Sequence, residues 1–421
     1  MLTQRPKGTN DFLPQETWKW QYVEQILREV CRQYGYGELR TPIFEHTELF
    51  QRGVGETTDI VEKEMYTFLD KGGRSVTLRP EGTAAAARAY LENRLHAGPQ
   101  PVKVYYIGPM FRYDKPQAGR YRQFHQFGVE VFGSDEPVVD AEVIAMAMEI
   151  YRRLGIKDLE LNINSVGCPV CRARHREALQ EFLRPQLASL CKDCQSRFER
   201  NPLRILDCKQ EGCQAATRGA PTITRQLCPD CKDHFDQVQT LLKALGVPFT
   251  VNERLVRGLD YYTKTAFEIM VKDIGAQSSI CGGGRYNGLV GELGGEDVPG
   301  IGFALGLERT ILTMEKQGVA WPEEAGTRVF VAVLGTEARE QALVLTQQLR
   351  SRGLAAETDL LGRSLKAQLK QADRLKVSYT VIVGGDELQR GEVQLRSMSD
   401  SSQQALKLEQ VVDYLTEKLK P

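Results

Sequence analysis

Four pairs of cysteines, Cys168/Cys171, Cys191/Cys194, Cys208/Cys213 and Cys228/Cys231, crowd into one stretch of the chain, and only Cys31 and Cys281 lie elsewhere. A small segment so rich in thiols has little apolar core of its own, so something must cross-link it. The N-terminus, Met1-Leu2-Thr3-Gln4-Arg5-Pro6, has no apolar signal core, and no apolar run approaches the length of a membrane span. Both features point to the cytoplasm and away from any membrane. In that reducing compartment paired cysteines favour metal over disulfides. Eight thiolates suffice for two tetrahedral zinc sites, and zinc would supply folding energy to the segment. Three pairs are Cys-x-x-Cys, while Cys208/Cys213 is spaced more widely. The bland alternative is a set of buried free thiols.

The block interrupts a domain instead of ending one. With 421 residues the chain can hold two or three domains and a sizeable core. Basic and acidic residues balance at 55 each, so no global charge marks the chain for nucleic acid. Residues 168–231 hold 11 Lys or Arg against 7 Asp or Glu, a mildly basic surface that suits phosphates. Before the block, apolar residues at helical spacing (Val23, Ile26, Leu27, Val30) predict a helix over 16–34. Strands are predicted over 102–107 and 123–132, joined by a polar tip at 114–119, then a helix over 139–154 and a strand over 159–163. After the block, β-like patterning covers 251–269, and Gly300–Gly306 leads into a helix over 307–314. Residues 321–327 read as a linker. Beyond it, strands at 328–334, 354–357 and 379–383 alternate with helices at 337–352 and 364–375. A strand at 392–396 and a helix near 408–419 follow. That alternation predicts a small α/β domain with a mainly parallel sheet. The division is therefore a core over 1–166 and 234–320, a cysteine-rich insertion over 167–233, a linker, and a C-terminal domain over 328–421.

Chemistry concentrates in a few stretches of the core. Arg257-Gly258-Leu259-Asp260-Tyr261-Tyr262 joins a permanent cation to two phenols, and Gly282-Gly283-Gly284-Arg285-Tyr286 follows. A guanidinium beside hydrogen-bonding phenols suits a site for a phosphate and a small polar ligand. Arg112 opens the hairpin tip, and Arg120, Arg122 and Phe124 lie on its return. Arg offers a planar fork to phosphate oxygens and an aromatic ring can stack on a base. Glu81 sits between Pro80 and Gly82, placed to receive an ammonium group. Arg309 stands near a helix start, where an anion is favoured. A structural reading exists for each: a solvated loop, a simple turn, a surface Arg paired with Glu308 or Glu315. Gly300-Ile301-Gly302-Phe303-Ala304-Leu305-Gly306 is not a dinucleotide fingerprint, and no Walker-type loop exists, so side chains must hold any nucleotide.

Together these stretches resemble the class II aminoacyl-tRNA synthetases, and within them the histidyl-tRNA synthetase family. Gly37–Glu56 with Pro42 looks like class motif 1, Phe111-Arg112 through Glu130 like motif 2, and Gly300–Arg309 like motif 3. The pair at 257–262 and 283–286 is similar to the two signatures of the histidyl enzymes, and nearly the whole chain is covered. The resemblance implies an α+β catalytic core built on an antiparallel sheet. It implies ATP-dependent formation of histidyl-adenylate, then transfer of the histidyl group to the 3′ end of its tRNA. ATP with magnesium, L-histidine and a histidine tRNA would be the partners. A homodimer would form through motif 1, and the C-terminal domain would bind the anticodon.

The resemblance also implies roles. Arg112 and Arg257 would be catalytic at the α-phosphate, with Arg120, Phe124 and Arg309 completing the ATP site. Phe124 would stack on adenine and Arg309 would reach the γ-phosphate. Glu81, Thr83 and Gln126 would take the histidine amino end, and Glu130, Tyr261, Tyr262 and Tyr286 would surround the imidazole. Gln117 would approach the tRNA acceptor end. One departure is Asp114, where the class pattern has Glu; the carboxylate is kept but shortened. Zinc at Cys168, Cys171, Cys191, Cys194, Cys208, Cys213, Cys228 and Cys231 rests on spacing alone, since the family does not generally require it. Two rival readings stand beside this one: a silent histidine-sensing paralogue, and a zinc-dependent RNA-binding module. The first usually lacks the C-terminal domain and the Arg257 signature, and the second has no need of the Arg set.

Overall fold

The computed structural model describes residues 3–55, 58–117, 119–256, 258–272, 278–322 and 326–419. Arg257, Glu56 at the end of the motif-1 stretch, and the middle of the linker at 323–325 lie outside the described residues. The chain divides into two compact units, Met1–Trp321 and Pro322–Pro421.

The first unit is built on an eight-stranded sheet. Its order runs Gly37–Glu38, Val102–Phe111, Gln123–Phe132, Gly300–Gly306, Ser279–Arg285, Thr263–Val271, Leu159–Ser165, Thr250–Val251. The six central strands pair antiparallel, and only the two short edge strands pair parallel. The expected antiparallel core is therefore present. Alternation assigns the faces. Phe127, Val129 and Val131 join Ile301, Phe303 and Leu305 in the main core. Helices Pro14–Tyr34, Pro137–Arg153 and Leu307–Lys316 cover that face with Val23, Leu27, Ile144, Ile150 and Met314. Each such side chain buried contributes about 1.5–3 kcal/mol. The opposite parity, Phe124, Gln126, Gly128 and Glu130, faces away from these helices.

Several elements depart from the sequence reading. Val102–Phe111 runs four residues past the predicted end. The 251–269 patterning resolves into Thr250–Val251 and Thr263–Val271, leaving 258–262 as a loop. A three-stranded sheet of Phe44–His46, Ser75–Leu78 and Tyr66–Leu69 was not predicted. These strands are only three or four residues long and the two outer ones are largely exposed, so no apolar rhythm marks them.

The cysteine-rich segment is helical. It packs Leu179, Leu183, Leu190, Phe198 and Ile205 around Cys194 and Cys213. Its last helix, Pro229–Ala244, passes residue 233 and sends Phe235, Val238 and Leu242 into the main core.

The C-terminal unit carries a five-stranded sheet ordered Ala356–Thr358, Val329–Leu334, Tyr379–Gly384, Glu392–Ser397, Gln403–Lys407. It is an α/β unit, but the sheet is mixed and not mainly parallel: the first two pairings are parallel and the last two antiparallel. The missed strand, Gln403–Lys407, is mostly polar and exposed.

Candidate active site

A cavity of about 400 Å³ opens on the sheet face away from the helices. Glu81, Thr83, Arg112, Arg120, Phe124, Gln126, Glu130, Tyr261, Tyr262, Tyr286 and Arg309 all line it, although they come from distant parts of the chain. Arg257 lies outside the described residues. Gln117 is not brought in. It sits exposed at the hairpin tip, bridged to Arg120, and borders a separate groove with Arg5–Asp11.

One end of the cavity is acidic and phenolic. Glu130 is 1% exposed. Its Oε1 accepts hydrogen bonds from the hydroxyls of Thr83 at 2.7 Å and Tyr106 at 3.2 Å, and its Oε2 from Tyr286 at 2.5 Å. Burial pushes the Glu130 carboxyl up to about 8, against the pull of those three hydroxyls. Gly302, on the neighbouring strand, permits this arrangement, because a Cβ there would meet Glu130 Oε2 at 2.0 Å. Likewise a Cβ at Gly300 would meet the Tyr286 ring at 2.2 Å. Tyr261 packs against Tyr262 at 4.7 Å and against Tyr286 at 5.6 Å between ring centroids.

Glu81 accepts the backbone N–H groups of Thr83 at 2.7 Å and Ala84 at 2.8 Å. It thereby satisfies two of the N–H groups that open the helix Thr83–Glu92 while its carboxylate lines the cavity. Burial raises its pKa even so. Gln126 Oε1 is buried without a hydrogen-bond partner among the described residues. An orphaned acceptor in a polar cavity costs roughly 1–3 kcal/mol, which a ligand donor would recover.

The other end is cationic. Arg112 donates through Nε to Pro80 O at 2.7 Å, and its guanidinium lies 5.3 Å from the Phe124 ring centre. Burial lowers its pKa, the mark of a cation short of solvent. Arg309 donates to Ser279 O at 2.6 Å, and burial, then nearby Arg120, lower its pKa. Of the two acids near it in sequence, Glu308 accepts from the His125 N–H and Glu315 from Lys19. Arg120 pairs with Asp114, so the shortened acid holds a loop arginine at the rim.

Sequence reasoning missed Tyr106, Asp59, Glu64 and Arg204 near this cavity. Tyr106 shares the parity of Val104 and Met110, which a longer strand prediction would have exposed. It also assigned no work to Arg285. That side chain turns away from the cavity, is fully buried, and pairs with buried Asp140, which His234 also contacts at 3.1 Å. Burial alone would raise Asp140; hydrogen bonding from His234 and the Arg285 charge outweigh it and hold the carboxyl below its usual range.

The eight block cysteines form two groups, and the pairing is nested. Cys168, Cys171, Cys228 and Cys231 make one; Cys191, Cys194, Cys208 and Cys213 make the other. Within each group the sulfurs lie within 4.8 Å of one another, and all are free thiols.

Residues 8–310 match the family model described as Histidyl-tRNA synthetase, and residues 328–418 match that described as Anticodon binding domain. A Histidine--tRNA ligase of Desulforamulus reducens is 63% identical over 99% of both chains. The crystal structure of apo Staphylococcus aureus histidyl-tRNA synthetase superposes with a TM-score of 0.85 at 43% identity, over 99% of this chain and 100% of that one. A Bacillus halodurans protein described as an ATP phosphoribosyltransferase regulatory subunit/histidyl-tRNA synthetase is similar in fold alone. It is 22% identical, with a TM-score of 0.66 over 91% of this chain and 99% of that one.

Proposed function

The chain belongs to the histidyl-tRNA synthetase family and is a histidine–tRNA ligase that uses ATP and magnesium, and from that premise we propose how its cavity divides the work. Histidine binds at the Glu81–Glu130 end and ATP at the Arg112–Arg309 end. A carboxylate oxygen of histidine attacks the α-phosphorus, the bond to the bridging oxygen breaks, and pyrophosphate leaves with the electron pair. Such a step is governed by positioning and by cations where charge builds. Arg112 and Arg257 hold the α-phosphate, Arg120 and Arg309 the outer phosphates, and Phe124 stacks on adenine. Magnesium enters with the nucleotide as part of that substrate. In the second step the 3′-terminal hydroxyl of the tRNA attacks the adenylate carbonyl and AMP departs.

The observation that carries the histidine end is the buried Gln126 Oε1, which has no partner among the described residues. It and the Glu81 carboxylate suit an ammonium group, while Thr83 steadies Glu130. Three hydroxyls fill three of the roughly four lone-pair positions of Glu130, leaving one to accept an imidazole N–H once the carboxyl, protonated in the free protein, gives up its proton. A site built this way rejects amino acids lacking that donor. Tyr261, Tyr262 and Tyr286 wall it. The test is pyrophosphate exchange into ATP by Gln126→Leu. The KM for histidine should rise about 10–100-fold with the KM for ATP little changed. A variant with an unchanged KM for histidine would overturn this assignment.

The same reading extends outward. Gln117 meets the acceptor end of the tRNA, and residues 328–421 take the anticodon arm. A homodimer forms through residues 37–56 and the small sheet beside them, where Ile43, Phe44, Phe68 and Leu69 are exposed. Each cysteine group takes one structural zinc. A ZnS₄ tetrahedron with Zn–S near 2.3 Å has S···S edges of about 3.8 Å. The pairs Cys168/Cys171, Cys168/Cys228 and Cys191/Cys208 stand at 3.6, 4.0 and 3.9 Å.

A further inference from the structure

The wall of the proposed histidine subsite is a loop, Gly258–Tyr262, and a loop does not hold two tyrosines in place unaided. The core supplies part of the restraint. The Asp260 N–H donates to Val54 O at 3.3 Å, and Gly55 at φ +102° leaves room for the Asp260 carboxylate. Further restraint comes from the cysteine-rich insertion. Arg204 Nη1 donates to Gly258 O at 2.8 Å, and Asn201 Nδ2 donates to Asp260 Oδ1 at 2.8 Å. Arg172 Nη1 donates to the carbonyls of Asp260 at 3.1 Å and Tyr262 at 3.0 Å.

Asn201 and Arg204 are themselves held by the packing of their lobe. They sit between Cys194 and Cys208, whose thiols belong to one group, so the end of the helix Lys192–Arg200 and the turn Pro202–Ile205 form a loop whose base is gathered at that group. Phe198 and Ile205 bury its inner face against Cys194 and Cys213. Its outer face grips the core beyond the loop as well: Arg197 reaches Asp59 at 3.0 Å, Arg204 the same carboxylate at 3.4 Å, and Arg200 reaches Glu62 at 2.8 Å.

We infer that Asn201 and Arg204 are positioning residues for the histidine subsite, acting through the loop that carries Tyr261 and Tyr262. The insertion thus serves amino-acid recognition as well as any contact with RNA. This rests on the reading of those tyrosines as a wall of the histidine subsite. The chemistry is consistent with the role. Charge-assisted and amide donors to a carbonyl and a carboxylate fix backbone position, and a displacement of a fraction of an ångström matters in a site built on hydrogen bonds.

The test uses full-length protein and histidine-dependent pyrophosphate exchange, with histidine and ATP varied separately. Asn201→Ala and Arg204→Ala should each raise the KM for histidine about tenfold while the KM for ATP stays within about twofold. Arg204→Lys, which keeps one donor, should fall between Arg204→Ala and wild type. Arg200→Ala removes an insertion–core ion pair of the same kind without touching the loop, and should behave as wild type. An unmoved KM for histidine in both alanine variants would overturn the inference. So would an equal rise in the KM for ATP, which would put Arg204 on the nucleotide instead. If Arg204→Ala fails to fold, Asn201→Ala decides alone. Absence of histidine-dependent exchange in the wild type would refute the underlying reading of the cavity, a result separable from wild-type exchange with unmoved variants.

Discussion

Replacing Arg285 with methionine isolates the buried charge network behind the cavity. Methionine is close to arginine in length and apolar, so packing is largely kept. The lost contacts include the pairing with Asp140, the hydrogen bonds to Ser134 O at 2.7 Å and Glu136 O at 3.3 Å, and the longer contacts with Asp135 and Asn287, both at 3.4 Å. Asp140 is fully buried and would keep only His234 as a side-chain partner among the described residues. Breaking one side of a buried pair costs about 3–5 kcal/mol, because the remaining charge cannot reach water. With a denaturant slope near 3 kcal/mol per molar for a unit of this size, the urea midpoint should fall by about 1 M or more. Removing both charges, Arg285→Met with Asp140→Leu, should recover much of that loss. The pH dependence has a definite sign. The Asp140 carboxyl lies below its usual range when folded, so its contribution is present above its unfolded value and disappears as pH falls through the folded one. The gap between wild type and Arg285→Met should therefore narrow on acidification below about pH 4. A midpoint shift under about 0.3 M at neutral pH would refute the reasoning.

Four further outcomes are expected. Glu130 titrates near 8 when folded against 4.5 for a free carboxyl, so the folded protein keeps a proton that the unfolded chain releases. Stability should fall as pH rises between those values, and Glu130→Gln should flatten that slope of Tm against pH; an unaltered slope would count against it. Metal analysis of protein purified without chelator should find about two zinc ions per chain; under about half an equivalent, with thiols titrating freely, would sink the metal assignment. Phe44→Glu with Leu69→Glu should convert a dimer to monomers in sedimentation, and a monomeric wild type would dismiss the dimer. Deleting residues 328–421 should weaken tRNA charging but spare pyrophosphate exchange; undiminished charging would remove the anticodon role.

The sequence reveals some of this architecture and hides the rest for physical reasons. Gln123–Phe132 is legible because one face is apolar and the other polar, and that same parity puts Phe124, Gln126 and Glu130 together. Ser279–Arg285 is hard to see as a strand because its glycines carry no side-chain pattern, yet they are needed: a Cβ at Gly283 would meet Gly302 O at 2.3 Å. Charged residues read as surface by default, so the fully buried pair of Arg285 and Asp140 left no trace. Spacing marks the cysteines as candidate metal ligands but does not say that the first pair joins the last, since that depends on how the chain returns.

That nested pairing bears on how the sheet is assembled. Ser165 pairs with Thr265 across the root of the insertion, so the chain must close a very long excursion before these two strands can meet. Gly300–Gly306, which lies between Gln123–Phe132 and Ser279–Arg285, is synthesised later still. The thiols of Cys168 and Cys171 meet those of Cys228 and Cys231 just inside that root. Metal ligation there would take residues 172–227 out of the loop to be closed, and the entropy of closure grows with loop length. The inner thiol group uses only cysteines within that excursion, so it can form first. Metal uptake would then set the order of events during folding: inner lobe, root, and only afterwards the sheet that carries the cavity.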